Sequence, residues 1–380
     1  MKKLIKRDSS LIRVFEPKTT IQDKFQVMKT LFNNNLSGTS PVVSDFEKKA
    51  AEKFGRKYAI AVSNGSVALD VAFQSLNLEK NDEVILPSHT IISCLSAVIR
   101  SGATPIFCDV DSINWNMTLK NIEEKISSRT KVVLMVHTFG LPSQAREIQK
   151  FCEEKNIILI EDTAEAHGQQ YDSQLCGTFG EISTFSFYAN KHVTTGEGGM
   201  LMTDSLKLYD QFKQIRNLDF TSENRFHHNN FFWNYRLSGL QASLGISQLN
   251  NLEKVISLKR KQGTYYQKLF TDYSDLLSTQ ADSAYDVKNH YWVFGLLLNK
   301  ENIRNNLMKL LLDDGIETRP FFWPLHLQNA LPDKFKNPKE LLPVSVNLGK
   351  NGLYIPIGPH INKKNQRFIV RSLIKHIKNF

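Results

Sequence analysis

The chain has 380 residues, of which 41% are hydrophobic and 23% are charged, a balance typical of a soluble globular protein with two or three domains. Its formal net charge of +10 suits an anionic small-molecule ligand, whereas the scattered basic residues carry no motif typical of nucleic-acid binding. No apolar run approaches the length of a membrane span, the N-terminus lacks a secretory signal pattern, and the cysteines and histidines lack metal-ligand spacing, so we expect a cytoplasmic protein without a metal site.

From about residue 42 to residue 217, short apolar runs alternate with amphipathic runs. The apolar runs typical of buried strands lie at 84–87, 132–136 and 157–160, and the amphipathic runs typical of helices lie at 67–76 and 144–154. This alternation predicts an α/β fold with a mostly parallel sheet and helices on both faces. Ligands of such sheets bind at the carboxyl ends of the strands, where Asp162, His137 and His89 follow strand candidates.

After about residue 250 the pattern changes. The sequence predicts a long helix from Ser238 past Lys259, a strand at 291–298, a helix at 303–312 and a terminal helix at 364–377. We therefore predict a large ligand-binding domain over residues 1–250, whose N-terminal segment can pack on the second domain, and a smaller α+β domain over residues 251–380.

The segment 186–199 reads SFYANKHVTTGEGG and contains Lys191 beside a cluster of glycines, which permit close backbone approach. The apolar run at 157–160 ends in Glu161 and Asp162. An amine on a tight segment and an acid at the end of a buried strand are the two ends of a pyridoxal phosphate (PLP) site. The lysine forms the Schiff base, and the acid pairs with the pyridinium nitrogen. The simpler alternatives are a solvated surface lysine and an acid that caps a turn.

Small polar residues before a predicted helix suggest how the phosphate is held. Gly65 and Ser66 lie in the SNGS segment at 63–66, and backbone N–H groups at a helix N-terminus attract anions. Ser186 offers a hydroxyl donor from the lysine segment. An ordinary helix cap would explain the SNGS segment equally well. Asn234, in the WNYR segment at 233–236, is another polar side chain that precedes a helix.

These motifs together resemble the DegT/DnrJ/EryC1/StrS family of PLP-dependent sugar aminotransferases, which have PLP fold type I, as in aspartate aminotransferase. Matching stretches run over nearly the whole chain, at 46–47, 63–69, 161–168, 186–199, 234–236, 315–319 and 324–326. The EAH segment at 165–167 and the NK pair at 190–191 are most similar to the perosamine-synthase branch. That resemblance implies amination at C4 of a nucleotide-linked 4-keto-6-deoxyhexose, which gives a 4-amino-4,6-dideoxy sugar nucleotide of the perosamine or viosamine type. L-glutamate would be the amino donor, 2-oxoglutarate its product, and pyridoxamine phosphate the cofactor form between the half-reactions.

The resemblance also implies roles for individual residues. Lys191 would carry the Schiff base and move the proton, and Asp162 would pair with the ring nitrogen. Gly65, Ser66 and Ser186 would bind the phosphate. Asn234 would reach that phosphate from the neighbouring subunit of a homodimer with shared active sites. Glu165 stands where the family usually has glutamine against the ring hydroxyl, and Arg319 and His326 would approach the sugar nucleotide.

One position departs from the family, because Ile91 stands where an aromatic residue commonly covers the PLP ring. An isoleucine can pack on the ring but cannot π-stack, so His89 is a candidate substitute. Three alternatives stay open: a C3 sugar aminotransferase, a related PLP-dependent sugar 3-dehydratase with histidine in place of the Schiff-base lysine, and a DNA-binding regulator. Lys191 argues against the dehydratase. The nucleotide, which can be GDP, UDP or dTDP, and the sugar configuration are not fixed by the sequence.

Overall fold

The computed structural model describes residues 11–220, 225–337 and 339–380. Its main feature is a seven-stranded sheet with the order β1-β9-β8-β5-β4-β2-β3. The strands of this sheet are β1 (Tyr58–Val62), β2 (Glu83–Pro87), β3 (Thr104–Cys108), β4 (Thr130–Val136), β5 (Ile158–Asp162), β8 (Ile182–Ser186) and β9 (Gly199–Thr203). Short hairpin strands β6 (Gln170–Tyr171) and β7 (Gln174–Leu175) lie outside it.

The sheet is mostly parallel, as the alternating sequence pattern predicts. Strands β3, β2, β4, β5 and β8 run in one direction, while β9 is antiparallel to both of its neighbours, β8 and β1. Because β9 reverses twice, β1 runs in the same direction as β8. The carboxyl ends of β1, β5 and β8 therefore meet at one edge, where Gly199 pairs with both Val62 and Ser186.

Helices cover both faces of the sheet, because successive strand residues point to opposite sides. The helices of this part of the chain are α1 (Ile21–Phe32), α2 (Pro41–Phe54), α3 (Gly65–Gln74), α4 (Ile92–Arg100), α5 (Leu119–Glu123), α6 (Ala145–Lys155), α7 (Leu206–Arg216) and α8 (Gly239–Leu249). On one face, β-strand residues such as Ile60 and Leu134 pack against α3, α4 and α7; on the other, residues such as Met135 pack against α6, and Met200 against α2 and α8.

A second, antiparallel sheet with its own apolar core lies in the C-terminal part of the chain. It has the order β10-β13-β15-β14, formed by β10 (Leu277–Thr279), β13 (Phe294–Leu298), β14 (Arg319–Pro320) and β15 (Gly352–Ile355). A small hairpin joins β11 (Ser283–Ala284) to β12 (Val287–Lys288), and the helices are α9 (Leu252–Phe270), α10 (Arg304–Asp313), α11 (Pro343–Asn351) and α12 (Lys363–Lys378). The proposed domain boundary at residue 250 stays a prediction.

The predicted long helix from Ser238 past Lys259 is wrong in one respect, because it is two helices. α8 ends at Leu249 and α9 begins at Leu252, with Asn250 and Asn251 between them. Asparagine side chains compete for backbone hydrogen bonds and favour helix ends, which explains the break. Throughout the part of the chain that the structure describes, no helix combines the length and the hydrophobicity of a membrane span.

Candidate active site

The N-terminus of α3 forms one wall of a cavity at the carboxyl edge of the main sheet. The Asn64 side chain accepts a hydrogen bond from the Val67 N–H, and the first backbone bond of the helix runs from the Ala68 N–H to the Asn64 carbonyl. The backbone N–H groups of Gly65 and Ser66 precede that bond, so they can serve an anion.

Gly65 is required here by close packing. A Cβ on Gly65 would lie 2.8 Å from the Cβ of Ser186. Such a distance forces neighbouring atoms to shift. The glycine therefore keeps open a small cradle between the helix N-terminus and the Ser186 hydroxyl, at the position where the sequence predicts a phosphate.

Asp162 ends β5 and lies in the same cavity, only 4% exposed. Its Oδ1 accepts the Ala164 N–H at 3.0 Å, and the Cys94 thiol approaches Oδ2 at 3.5 Å. Burial raises the pKa of the Asp162 carboxyl, while the Ala164 N–H and the nearby Lys191 oppose that rise. A buried carboxylate in this environment gains from a bound cation, such as a protonated ring nitrogen.

Lys191 lies on the loop between β8 and β9, with its side chain 9% exposed. Its Nζ is 3.7 Å from Glu165 Oε1 and 3.9 Å from the centroid of the Trp292 ring. Burial lowers the pKa of the Lys191 ammonium, and the carboxylates of Glu165 and Asp162 oppose that change. A lowered pKa favours the neutral amine, which is the form that reacts with a carbonyl.

Glu165 is buried beside the lysine. Its Oε2 accepts the Phe139 N–H at 3.0 Å, and Phe139 adopts a left-handed backbone with φ of 60°. A non-glycine residue in this conformation is strained, so the surrounding structure fixes the N–H that holds Glu165. Burial raises the pKa of Glu165 to about 7, against the lowering effect of Lys191. Glu165 and Lys191 therefore exchange a proton more readily than exposed groups would.

The cavity has a volume of about 640 Å³ and brings together most of the predicted site residues. Its walls include Gly65, Ser66, Ile91, Asp162, Glu165, Ser186 and Lys191. They fit PLP: the open N–H groups and the Ser186 hydroxyl suit its phosphate, Asp162 suits its ring nitrogen, and Lys191 suits its aldehyde carbon. The glycine cradle at Gly65 supports this fit independently, because any side chain there would fill the space next to Ser186.

Four predicted residues, His89, Arg319, His326 and Asn234, do not line this cavity. His89 is fully buried among the rings of Phe139, Phe321 and Phe322, because the following residues, Thr90 and Ile91, face the cavity instead. The prediction that His89 contacts PLP has no support in this geometry.

Arg319 is exposed and paired with Glu317 at 2.6 Å, and His326 Nδ1 is 2.6 Å from the Ser88 hydroxyl. The structure does not bring either side chain into the cavity, so their contact with a sugar nucleotide stays a prediction.

Asn234 is exposed and also lies outside the cavity of its own chain. That position is compatible with the predicted contact across a subunit boundary.

His137, which follows β4, belongs to a separate buried cluster with Glu161 and Cys176. The His137 Nε2 donates to Glu161 Oε1 at 2.7 Å, and its Nδ1 accepts the Ser143 N–H at 3.0 Å. Glu161 also accepts the backbone N–H groups of residues 177, 179 and 180. Because both ring nitrogens and the carboxylate are engaged, this cluster is a hydrogen-bonded support beneath the strand that carries Asp162.

Trp292 is a cavity residue that the sequence reasoning did not identify. It is 5% exposed and lies just before β13, about a hundred positions after the lysine whose ammonium it covers. Its ring N–H is 3.4 Å from Asn190 Oδ1. The only signal in the sequence was a tryptophan at the start of a strand candidate, which is more often a core residue.

Comparisons with known proteins agree with this geometry. Residues 18–374 match the DegT/DnrJ/EryC1/StrS aminotransferase family. The chain is 35% identical to the GDP-perosamine synthase of Escherichia coli O157:H7, over 95% of this chain and 97% of that protein.

Solved structures share the fold. The aminotransferase TlmJ from Streptoalloteichus hindustanus superposes with a TM-score of 0.90 at 26% identity, covering 97% of this chain and 99% of that one. An E. coli GDP-4-keto-6-deoxy-D-mannose-3-dehydratase with bound hydrated PLP gives a TM-score of 0.85 at 25% identity, covering 95% and 100%. The fold is thus PLP fold type I, and the chain belongs to the DegT/DnrJ/EryC1/StrS aminotransferase family of PLP-dependent enzymes.

Proposed function

We propose that this chain is a nucleotide-sugar 4-aminotransferase. It would move the amino group of L-glutamate to C4 of a GDP-linked 4-keto-6-deoxyhexose and produce a 4-amino-4,6-dideoxy sugar of the perosamine type. The observation that carries the proposal is the convergence of Lys191, Asp162 and Glu165 on one cavity that fits PLP. The sugar and the nucleotide are taken from the resemblance to GDP-perosamine synthases, including the Vibrio cholerae enzyme, which is 30% identical over 97% of this chain.

In this proposal each side chain has a defined task. Lys191 is the covalent attachment point and, when released, the base and acid that moves the proton of the substrate carbon. Glu165 holds the ammonium form of Lys191 and accepts or returns its proton, which its raised pKa allows. Asp162 keeps a positive charge on the ring nitrogen of the cofactor.

PLP, when bound, supplies the electron sink that stabilises negative charge at the reacting carbon. The remaining groups position it. Gly65, Ser66 and Ser186 hold the phosphate, and Trp292 closes the cavity above Lys191, where it limits access of water to the amine.

The working unit in this proposal is a homodimer in which Asn234 reaches the phosphate site of the partner subunit. The surface offers a candidate interface, because α1 presents large apolar side chains to solvent. Ile21, Phe25 and Phe32 are 73%, 72% and 78% exposed. Exposed apolar side chains one and two turns apart on a helix are typical of a protein–protein contact.

The related sugar 3-dehydratase is disfavoured by the position of His192. This histidine follows Lys191 but does not line the main cavity; its Nε2 donates to the His290 carbonyl at 3.0 Å. It is therefore not placed to replace the lysine. A C3 aminotransferase uses the same residues and differs only in how the sugar is seated, so the product must be identified directly.

The test is to incubate the protein with PLP, L-glutamate and a panel of GDP-, UDP- and dTDP-linked 4-keto-6-deoxy sugars. Mass spectrometry would detect the amino sugar, and two-dimensional NMR would locate nitrogen on C4 or C3. We expect a C4 amine with the GDP sugar and stoichiometric 2-oxoglutarate. A C3 amine, or loss of the C3 hydroxyl without net amination, would contradict the proposal.

A further inference from the structure

A second cavity, called here the Lys259 cavity, adjoins the active site. Its volume is about 220 Å³, and it shares Asn190 and Lys191 as walls with the main cavity. Its other walls include Lys18, Lys254, Lys259 and His192. Liquid water occupies roughly 30 Å³ per molecule, so the space is ample for a small ligand.

Lys259 is the unusual residue of this cavity. It projects from α9 and is only 5% exposed, and its Nζ donates to the Trp292 carbonyl at 2.8 Å. An ammonium has three N–H donors, so this bond leaves donors to spare. Within residues 11–220, 225–337 and 339–380, no carboxylate lies within ion-pair distance of Lys259. A buried cation without a counter-charge is costly, and a bound anion removes that cost.

The other charged and titratable groups around Lys259 supply little negative charge. Lys191 and His192 come from the loop between β8 and β9, His167 from the loop after β5, and His290 from the segment before β13. The remaining groups are Lys254 on α9, Lys18 and Glu16 in the N-terminal segment, and His360 beyond β15. Burial lowers the pKa of all four histidines, so they are neutral at pH 7. Glu16 is engaged by another contact. The cavity is therefore lined by several lysines with no carboxylate against Lys259.

We propose that the Lys259 cavity binds a small oxygen anion, either a carboxylate or an inorganic oxyanion, on the Lys259 ammonium. The Lys259–Trp292 bond and the contact between the Trp292 ring and Lys191 connect this anion to the reactive amine. The proposal does not depend on the sugar substrate. It concerns a position outside the main cavity, and failure of one proposal would not decide the other.

Sulfate is the first probe, because its charge does not change between pH 6 and pH 9. It would be titrated calorimetrically into the PLP-loaded enzyme at constant ionic strength. Burial lowers the pKa of Lys259 to about 7. We therefore expect sulfate binding to change less than about twofold between pH 6 and pH 7 and to weaken about fiftyfold between pH 7 and pH 9, in proportion to the loss of the ammonium form. Succinate, titrated separately, distinguishes an organic acid from an inorganic anion as the preferred ligand.

Three variants make the test specific. Lys259→Met should weaken sulfate binding at least tenfold at pH 6.5, and Lys259→Arg should bind it with no loss between pH 7 and pH 9. Lys254→Met, at the exposed rim of the same cavity, should change the affinity less than threefold. If Lys259→Met does not fold, the pH dependence of sulfate affinity in Lys259→Arg, compared with that in the wild type, tests the proposal.

Crystals of the PLP-loaded enzyme soaked in selenate locate the anion by its anomalous scattering. A peak within hydrogen-bond distance of Lys259 is expected. Unchanged sulfate affinity in Lys259→Met, a wild-type affinity that does not fall above pH 7, or a selenate peak only elsewhere would each overturn the proposal.

Discussion

Lys191 lies between the Glu165 carboxylate and the Trp292 ring. Burial lowers the pKa of its ammonium, and Glu165 opposes that change. If it is the attachment point for PLP, Lys191→Ala should lower turnover by at least about 10²–10⁴-fold, the usual contribution of proton transfer. Borohydride reduction followed by peptide mass spectrometry should find PLP on Lys191 in the wild type and in Lys259→Met. Labelling of Lys259 in place of Lys191 in the wild type would show that Lys191 is not the attachment point for PLP.

Glu165 provides a pH prediction that needs no substrate. Burial raises its pKa in the folded protein to about 7 from 4.5, so the folded state binds the extra proton between these values. The contribution of Glu165 to the free energy of unfolding of the PLP-free protein should therefore fall as the pH rises from 4.5 to 7, by up to about 3 kcal/mol. The buried histidines, whose pKa values are lowered, act in the opposite direction in both proteins. Glu165→Gln should lack the Glu165 contribution, so its stability at pH 8 relative to pH 5 should be higher than that of the wild type.

Chemical denaturation of both proteins at pH 5 and pH 8 measures the difference. Glu154→Gln, an exposed position near the end of α6, is the control and should follow the wild type. An equal pH dependence in wild type and Glu165→Gln would mean that Glu165 is not the group that holds the proton.

At the scale of elements, the meeting of β1, β8 and α3 depends on Gly65. Gly65→Ala should weaken PLP binding about tenfold or more, because the added Cβ at 2.8 Å from Ser186 Cβ must displace the phosphate cradle, and overpacking costs about 1–3 kcal/mol. PLP fluorescence titration measures the affinity. Gln74→Ala, at the other end of α3, controls for general damage to the helix and should bind PLP normally.

The strands were the most predictable elements. The apolar runs at 132–136 and 157–160 correspond to β4 and β5 within a few residues, because a buried parallel strand needs a continuous apolar run. The break between α8 and α9 was not predictable from periodicity, since apolar spacing continues across it. The sheet order also explains why Lys191, Asp162 and Ser186 converge: sequence motifs at the ends of neighbouring parallel strands must meet.

The rest of the site comes from packing between distant parts of the chain. Trp292 reaches Lys191 because the C-terminal part of the chain packs on the loops that follow β3 and β4, and no local pattern encodes that contact. His89 shows the opposite case. It follows a strand, as a ligand-binding residue would, but the alternation of side chains directs its ring away from the cavity and against Phe139 and Phe321.

At the scale of the whole molecule, the proposed homodimer with shared active sites predicts complementation between inactive variants. Lys191→Ala would be mixed with Asn234→Ala and allowed to exchange subunits. A mixed dimer then contains one site with Lys191 and an intact Asn234 from the partner, so activity should recover to about a quarter of wild type in an equal mixture.

The matched control is a mixture of Lys191→Ala with Asp162→Asn. Both residues belong to the cavity of one chain, so neither mixed site is complete and no activity should return. If both mixtures exchange subunits but neither recovers activity, Asn234 acts within its own chain.

The pairing of Ser186 with Gly199 has a consequence for the evolution of this protein. The loop that carries Lys191 leaves the sheet and returns to it at directly opposed residues, so its span is closed at the base. The paired ends of the loop cannot shift to accommodate an inserted or deleted residue. The pairing of β8 with β9 fixes the positions of both ends of the loop. A change in loop length would therefore leave the strands in register but move the Lys191 amine away from Asp162. Relatives that retain the chemistry should therefore vary in length elsewhere and keep this loop constant.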